Sequence, residues 1–457
     1  MHLPEEFAKN IQLLLGEEAV ECLAAIGHAT TTTIRLNKGK PTLQFNESEQ
    51  VEWYNAAKYL NDRPSFIADP LFHAGTYYVQ ESSSMFVGHV VKQLKAKYAK
   101  PVKVLDLCAA PGGKSTLVLD ELTDDDLLVS NEIIKTRVGI LEDNLVKWGR
   151  GNVVVTNNDP QQIGSIGAYF DIMLIDAPCS GEGMFRKDKN AISEWSEAHT
   201  LFCAQRQKRI LSDALKALKP GGYLIYSTCT FNQAENEENV KWLTDEFGYR
   251  PEAIPIENDW GITHIDSYQD TPLHAYRFYP HKVKGEGLFL ACLQKPLRDE
   301  KPVVAKEVKT PRLKEKEVAL LSPWLEEMDK FHFVFKQSLV FATLTQHVND
   351  VALLSSKLYV KMAGTRLGEV MKDKLVPDHQ LALSIYLNKN IPAIEVDRLD
   401  ALKYLKKDNL VIPGYGQGIY LITYRQHGLG WAKVLPNRIN NYLPVNWRIL
   451  KDLKDLI

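Results

Sequence analysis

Between residues 102 and 294 the chain repeats one pattern, in which a short apolar run rich in β-branched residues is followed by a segment of helix length. The runs are VKVLDLCA, LLVSNE, NVVVTNN, FDIMLID, GYLIYST and GLFLACLQ. Such alternation is typical of a parallel, doubly wound α/β sheet. This pattern limits the fold more than any other feature, and we predict the α/β class for this region.

Polar or reactive residues follow these runs where each predicted strand ends. They are Cys108, Glu132, Asp159, Asp176, Cys179 and Cys229. Ligands of doubly wound sheets bind at the carboxyl ends of the strands. Packing alone does not account for so many such residues at one edge of the sheet, so we predict a ligand site there.

At 457 residues the chain is long enough for two or three domains. Residues 294–317 combine proline with dense charge and lack apolar periodicity, which is typical of a linker. We therefore predict an α+β N-terminal subdomain over residues 1–97, a catalytic domain over residues 98–293 and a C-terminal region of one or two small α+β domains over residues 318–457. A strand is expected in TTTIRLNKGK, and helices are expected in ESSSMFVGHVVKQLKAKYA and around DHQLALSIYL. Strands are also expected in SKLYVKMAG and GIYLITYRQHGLGWAKVL.

The net charge of −2 is unevenly distributed along the chain. Residues 1–293 carry 29 basic and 39 acidic side chains, a balance of −10, whereas residues 294–457 carry 26 and 18, a balance of +8. A basic C-terminal part fits a nucleic-acid-binding module. Ordinary variation of surface charge would give the same numbers, so charge alone leaves both interpretations open.

The six cysteines are scattered, and none forms a CxxC pair. This spacing predicts free thiols and neither a disulfide framework nor a zinc site. The start of the chain, MHLPEEFAKN, is polar and acidic, unlike a secretory signal, and no apolar run approaches the ~20 residues of a membrane span. We expect a cytoplasmic protein with no bound metal and no membrane partner.

The segment DLCAAPGGKS places a turn of small residues between a strand and a helix. Backbone N–H groups in such a turn can approach a ligand closely. The spacing differs from the phosphate-binding G-x-x-x-x-G-K-[ST] loop. Glu132 follows the turn at about the distance, ~20 residues, at which an acid binds ribose hydroxyls, and Asp159 ends the next run. This pattern predicts an S-adenosylmethionine site, although a plain strand-to-helix connection would also need a glycine turn.

Asp176 and Cys179 follow one strand, and Cys229 follows another. The C5 carbon of cytosine becomes nucleophilic after a thiolate adds at C6, and a carboxyl group near N3 stabilises the adduct. A second polar group must then help to remove the C5 proton. Two thiols and a carboxylate satisfy these needs, but chemistry alone leaves Cys179 and Cys229 as equal candidates for the attacking thiol.

The alternative is that the cysteines are buried hydrophobic residues, the usual fate of free cysteine. We expect that fate for Cys22, Cys203 and Cys292. Cys179 and Cys229 fit it less well, because both come after a strand and not within one.

With DLCAAPGGKS, DAPCSGEGMFRKD, STCTFNQAENE and RFYPHKVKGEGLFLA, the chain resembles the Nol/Nop/Sun (NSUN) family of RNA cytosine-C5 methyltransferases. TRLGEV, PDHQLAL, GLGWAKV and NRINNYLP resemble, more loosely, the C-terminal region of the bacterial ribosomal RNA small-subunit methyltransferase F subgroup. The resemblance implies a Rossmann-like S-adenosylmethionine-dependent core with a PUA-like C-terminal domain.

The resemblance also implies roles for single residues. Cys229 would be the nucleophile, Cys179 would assist product release, and Asp176 would be the catalytic aspartate. Glu132 would bind the cofactor ribose, Asp159 would lie at the adenine, and Arg137 matches a recurring arginine of less defined purpose. The cofactor-binding set implied by the resemblance is Cys108, Ala109, Ala110, Pro111, Gly112, Gly113, Lys114, Glu132, Arg137, Asp159 and Asp176.

The implied partner is RNA, above all small-subunit (16S) ribosomal RNA, bound by a monomer. Candidate RNA contacts in the C-terminal domain are Trp431, Lys433, Arg438, Tyr442, Trp447 and Arg448. For Trp431 and Trp447, packing in the core of a small domain is the preferred interpretation. Two other functions stay open, namely a transfer RNA cytosine-C5 methyltransferase and a ribosome-assembly RNA-binding protein.

Overall fold

The structure is a computed structural model, and it describes residues 2–309 and 313–456. The N-terminal part forms a small α+β unit with an antiparallel sheet. Its elements are α1 (Glu5–Leu15), α2 (Ala19–Ile26), β1 (Thr32–Leu36), β2 (Gln50–Val51), β3 (Tyr54–Leu60), α3 (Pro70–Ala74), β4 (Tyr77–Val79) and α4 (Phe86–Lys95). The sheet order is β2-β3-β1-β4. The strand predicted in TTTIRLNKGK and the helix predicted after the serine run are confirmed as β1 and α4.

The central part alternates strands and helices. Its elements are β5 (Lys103–Asp106), α5 (Gly113–Glu121), β6 (Leu127–Asn131), α6 (Lys135–Trp148), β7 (Val153–Thr156), α7 (Pro160–Gly164), β8 (Phe170–Asp176), α8 (Lys189–Glu194), α9 (Glu197–Ala214), β9 (Leu218–Thr228), α10 (Glu237–Phe247), β10 (Arg250–Pro251), β11 (Thr263–Tyr268), β12 (Thr271–Phe278) and β13 (Leu288–Gln294).

The C-terminal part contains two further sheets. Its elements are α11 (Glu315–Leu321), β14 (Phe331–Lys336), β15 (Leu339–Leu344), α12 (Val348–Lys357), β16 (Val360–Ala363), β17 (Thr365–Met371), β18 (Lys374–Pro377), α13 (His379–Leu383), β19 (Ala393–Glu395), α14 (Arg398–Lys406), β20 (Gly418–Tyr424), β21 (His427–Leu435) and β22 (Arg438–Asn441). The sheet orders are β14-β15-β17-β18 and β19-β20-β21-β22.

The main sheet runs in the order β11-β12-β13-β9-β8-β5-β6-β7-β16. Strands β5 to β9 are parallel, as predicted, whereas β13, the GLFLACLQ run, is antiparallel to β9. Successive side chains of β8 alternate between the two faces. Ile172 and Leu174 pack in one apolar cluster, and Met173 and Ile175 pack in the other. Burial on both faces explains why these strands read as unbroken apolar runs.

Strand β16, from the predicted C-terminal domain, pairs antiparallel with β7 at the edge of the main sheet. The strand in SKLYVKMAG was expected, but its partner was not. Without β16, the buried strand β7 would present unpaired backbone groups at the sheet edge. The domain limits at residues 97, 293 and 317 stay predictions, and residues 310–312 of the predicted linker lie outside the described residues.

The N-terminal unit is fixed to the central sheet by the buried side chain of Arg35. Its guanidinium lies 2.7 Å from the Asp120 carboxylate and donates to Thr116 at 2.6 Å. It also lies over the Trp148 ring, 4.4 Å from the centroid. This arrangement joins β1 to α5, the helix that follows the small-residue turn. Within residues 2–309 and 313–456, none of the helices combines the length and apolarity needed to cross a lipid bilayer.

Candidate active site

The small-residue turn lies between β5 and α5 and packs against α6. Gly112, just before α5, has φ of +113°, a region that favours glycine. A Cβ atom there would meet Leu141 Cδ1 at 3.3 Å. The Ala109 N–H donates to the Asn131 carbonyl at 2.8 Å, and the Asn144 amide donates to the Pro111 carbonyl at 2.8 Å. These contacts hold residues 108–114, which we call the cofactor loop.

The carboxyl ends of the parallel strands open into one cavity of about 720 Å³, within the size range of small-molecule sites. All six strand-end residues predicted from the sequence line it, namely Cys108, Glu132, Asp159, Asp176, Cys179 and Cys229. Ala110 and Arg137 also line it. The structure therefore brings these predicted residues together; their individual roles stay predictions.

Glu132 directly follows β6 and is buried. One carboxylate oxygen accepts the Ile134 N–H at 2.8 Å, and the other lies 3.6 Å from the Arg137 guanidinium. Arg137 also donates to the Ala110 carbonyl at 2.7 Å. Arg137 thus links the acid to the cofactor loop, a connection that gives this residue a defined structural place.

Asp159 lies at the start of α7 and is exposed. Its Oδ1 accepts the Gln161 N–H at 2.8 Å, as an N-cap. Oδ2 is not part of that bond, so Asp159 can cap the helix and still present an acceptor to the cavity.

Asp176 ends β8 between two donors. The Lys114 ammonium lies 2.8 Å from Oδ2, and the Ser227 hydroxyl donates to Oδ1 at 2.8 Å. Burial alone would lower the pKa of Lys114, but the adjacent Asp176 carboxylate outweighs it and the pKa is raised. Lys114 is therefore a permanent cation beside Asp176. Ser227, part of STCTFNQAENE, was not predicted as a site residue, although its place just before Cys229 was a signal.

The Sγ atoms of Cys179 and Cys229 lie 3.3 Å apart. The hydrogen bond to Cys229, together with burial, raises the pKa of the Cys179 thiol well above its usual range. Either sulfur can be the donor in this contact.

The other cysteines differ from this pair. Cys22, Cys203 and Cys292 are buried, as predicted. Cys108 lies in the cofactor loop, where burial raises the pKa of its thiol. It therefore lines the cavity as an uncharged thiol.

Some residues that line the cavity were not predicted from the sequence. Ile133 and Ile134 are exposed apolar side chains at one side, suited to a flat ring. Arg206 and Arg209 of α9 lie at another, and the Arg206 Nε atom is buried without a hydrogen-bond partner among the described residues. These two arginines were hard to predict, because α9 has no sequence motif that distinguishes an arginine lining a cavity from one on the surface.

Outside the cavity, a cluster among the described residues has a ligand spacing that could hold a metal ion. The ligand atoms of His264, Asp266 and His274 lie within 4.8 Å of one another on the β11–β12 hairpin. The Asp266 side chain is 79% exposed, and the residues do not line the cavity. An ordinary His–Asp surface contact accounts for this group.

The C-terminal candidates for RNA contact divide into two sets. Trp431 is 1% exposed and packs edge-on against Trp324, so the core-packing interpretation is confirmed for it. Trp447 packs against His379, with 4.4 Å between ring centroids. Lys433, Arg438 and Arg448 are exposed, and Tyr442 is half-buried.

Three family profiles match consecutive parts of the chain. A profile for the N-terminal domain of 16S rRNA methyltransferase RsmF matches residues 3–82. A profile for 16S rRNA methyltransferase RsmB/F matches residues 94–294, and one for the methyltransferase RsmF PUA domain matches residues 391–449.

Whole proteins are similar over most of their length. The ribosomal RNA small subunit methyltransferase F of Vibrio parahaemolyticus is 31% identical over 472 residues, covering 97% of this chain and 97% of that protein. Its counterpart in Shewanella loihica is 29% identical over 382 residues, covering 81% of this chain and 77% of that protein.

Among solved structures, a methyltransferase homologue from Pyrococcus horikoshii is 28% identical with a TM-score of 0.54, covering 64% of this chain and 95% of that one. NSun6 from Pyrococcus horikoshii, 22% identical with a TM-score of 0.53, covers 64% of this chain and 98% of its own and shares the fold. From its three consecutive profile matches and its 31% identity to a full-length relative, the chain belongs to the RsmB/F family of 16S rRNA methyltransferases.

Proposed function

We propose that the protein methylates C5 of a cytosine in 16S ribosomal RNA, with S-adenosylmethionine as the methyl donor and a covalent bond between Cys229 and C6 of the base. The observation that carries this proposal is the pair of thiols 3.3 Å apart beside Asp176, in the cavity that Cys108 and Ala110 of the cofactor loop also line. The base and the methyl donor would meet in one cavity.

The donor and acceptor groups of the cavity fit S-adenosylmethionine. The Glu132 carboxylate suits the ribose hydroxyls and the free oxygen of Asp159 suits the adenine amino group, while Ile133 and Ile134 offer apolar surface to the ring. The cofactor loop and the start of α5 suit the methionine carboxylate. When bound, this cofactor supplies an electrophilic methyl group on a sulfonium sulfur.

The first step belongs to Cys229. Its thiolate adds to C6, and the electron pair of the C5=C6 bond moves to C5, which then takes the methyl group. Asp176 stabilises the adduct near N3, and Lys114 and Ser227 fix the orientation of its carboxylate. Cys179, which keeps its proton, donates a hydrogen bond to the attacking sulfur until the S–C6 bond forms.

The second step belongs to Cys179. The C5 proton must leave so that its electron pair can restore the C5=C6 bond and expel the Cys229 thiolate. Once Cys229 is bonded to carbon it no longer shares a proton with Cys179. Cys179 first releases its own proton to water, and its thiolate then accepts the C5 proton, directly or through water, so that the Cys179 thiol is restored as the Cys229 thiolate leaves.

The choice of RNA rests on the relatives and the C-terminal module. The relatives from Vibrio and Shewanella carry the name ribosomal RNA small subunit methyltransferase F, and a PUA profile of that subgroup matches residues 391–449. Exposed Lys433, Arg438 and Arg448 suit an RNA backbone. We further propose that the protein acts as a monomer in the cytoplasm, in accord with its free cysteines.

Transfer of a labelled methyl group tests this function. Purified protein with labelled cofactor is incubated with small-subunit ribosomal RNA, assembled small subunits and transfer RNA in parallel. We expect label in the ribosomal samples at C5 of a cytosine. Label in transfer RNA alone would favour the transfer RNA enzyme, and no label in any sample would favour a ribosome-assembly RNA-binding protein.

A further inference from the structure

The two cysteines lie on neighbouring loops that are joined by buried glutamates. We call residues 177–184, after β8, the first cysteine loop, and residues 229–236, after β9, the second. Glu182 of the first loop accepts the N–H groups of Phe231 and Asn232 in the second, at 2.7 and 2.9 Å. Glu235 of the second loop accepts the Ser180 N–H of the first, at 3.0 Å. Each loop thus holds the backbone of the other.

The two carboxylates have further partners within the protein. Glu235 accepts from the Gln207 amide at 2.8 Å and from the Asn232 amide at 2.7 Å. Glu182 accepts from the Trp195 indole at 2.9 Å. Glu182 and Glu235 are 2% and 0% exposed, and neither lines the cavity with the thiols. A carboxylate buried with several N–H donors is a structural tie, so neither glutamate is placed to touch a substrate.

The motif STCTFNQAENE supplies a second set of ties around Cys229. The Thr228 hydroxyl donates to Asn236 Oδ1 at 2.6 Å, and Asn236 Nδ2 donates to the Thr230 carbonyl at 2.9 Å. Both neighbours of Cys229 are therefore fixed by one side chain. Asn236 thus ties the second cysteine loop to itself, while Glu182 and Glu235 tie it to the first.

We propose that Glu182 and Glu235 form a reciprocal brace between the cysteine loops and are positioning residues for the Cys179–Cys229 pair. The brace keeps the two Sγ atoms at a separation where the Cys179 thiol can donate to the Cys229 thiolate. A hydrogen bond weakens steeply with distance and angle, so a small relative movement of the loops removes it. Cys229 would then lose the donor that favours its ionised form.

Glu182→Gln and Glu235→Gln test the brace. In either variant, the glutamine NH₂ group faces an N–H donor that binds a carboxylate oxygen in the wild type. At least one hydrogen bond of the brace is therefore lost, with little change in side-chain volume. Asp126→Asn is the matched control. Asp126 is equally buried and accepts the N–H groups of Val102 and Thr123 at 2.9 and 2.7 Å, but it does not contact either cysteine loop.

The readout is the pH–rate profile of iodoacetamide alkylation at Cys229 and Cys179, followed by mass spectrometry on the full-length protein. We expect both brace variants to shift the Cys229 midpoint upward by about one pH unit, a tenfold loss of thiolate at neutral pH. The control should keep the wild-type midpoint. Folded brace variants with the wild-type midpoint would overturn the proposal.

Asn232→Ala is a milder variant for the case in which the glutamines prevent folding. It removes one donor to Glu235 from a partly exposed loop, and a smaller upward shift is expected; an unchanged midpoint would overturn the brace. In methyl transfer, we expect all three variants to lower kcat while KM for RNA stays within twofold. Only the methyl-transfer measurement rests on the proposed function. If the wild-type protein transfers no methyl group, the proposed function is contradicted, and the alkylation test of the brace still stands.

Discussion

The Lys114 ammonium and the Asp176 carboxylate are 2.8 Å apart, and this ion pair joins the cofactor loop to the strand end that precedes Cys179. Asp176 lines the cavity proposed as the active site, and Lys114 belongs to the loop proposed to bind the methyl donor. The ion pair thus ties the position of the Asp176 carboxylate to that of the cofactor loop.

Replacing Lys114 by methionine should reduce single-turnover methyl transfer by about 100-fold, because a preoriented charge at a reacting centre contributes about that factor. The apolar stem remains, so folding should persist. Lys38→Met is the control, since Lys38 forms an ion pair with Glu121 at 2.6 Å away from the cavity. A Lys114→Met rate within threefold of the wild type would show that the ion pair does not orient Asp176 for the reaction.

Glu132→Gln should weaken cofactor binding about tenfold, the effect of losing one hydrogen bond to a charged group. The amide oxygen can still accept the Ile134 N–H, so the local fold should hold. Calorimetric titration with S-adenosylhomocysteine measures the effect. Glu142→Gln, on the same helix as Arg137 and paired with Lys361, should bind as the wild type does; equal affinity in both variants would remove Glu132 from the binding site.

Asp106 should make the protein less stable as pH rises toward neutrality. Burial raises the pKa of this carboxyl from 3.8 to about 7, and its Oδ1 atom is buried without a partner among the described residues. The native state therefore binds more protons than the unfolded state between these values. Its contribution to stability is complete below pH 3.8 and is lost as pH rises through about 7, by up to about 1.4 kcal/mol per pH unit.

Asp106→Asn keeps a neutral group of the same shape and removes the titration. In urea unfolding from pH 4 to 8, the free energy of unfolding of the variant should increase relative to that of the wild type as pH rises. Parallel stability curves for the two proteins would indicate that Asp106 ionises normally in the native state.

The Arg35–Asp120 pair should be important for the stability of the N-terminal unit. Arg35→Met leaves the Asp120 carboxylate buried without its cation, which costs about 3–5 kcal/mol. Burial already raises the pKa of Asp120 to about 6 beside Arg35. The double variant Arg35→Met with Asp120→Leu removes both charges and should recover part of the loss in urea unfolding; if it is no more stable than Arg35→Met, the unpaired charge is not the cause.

The main sheet and the location of its ligand site were predictable because both depend on local signals. Buried parallel strands require unbroken apolar runs, and a polar residue after each run marks the strand end. Cys108, Glu132, Asp159 and Cys229 could therefore be assigned to one edge before any contact between them was known.

Contacts between distant segments were not predictable in the same way. Strand β16 has the same local pattern whether it pairs within the C-terminal part or with β7. The helix predicted around DHQLALSIYL begins after Asp378, its N-cap, and ends at Leu383, because Ser384 adopts an extended conformation. The brace glutamates read as ordinary loop acids, since their N–H partners lie on another loop.

The central claim is that Cys229 attacks the base and Cys179 assists product release. Trapping of the protein–RNA adduct tests this claim most directly. Cys179→Ser and Cys229→Ser are incubated with substrate RNA and labelled cofactor, and the products are separated under denaturing conditions. Cys203→Ala, a change at a buried cysteine, serves as the control that turns over normally. We predict that Cys179→Ser accumulates a methylated covalent adduct and that Cys229→Ser forms no adduct and transfers no methyl group. Adduct with Cys229→Ser and none with Cys179→Ser would contradict the account and assign the attack to Cys179.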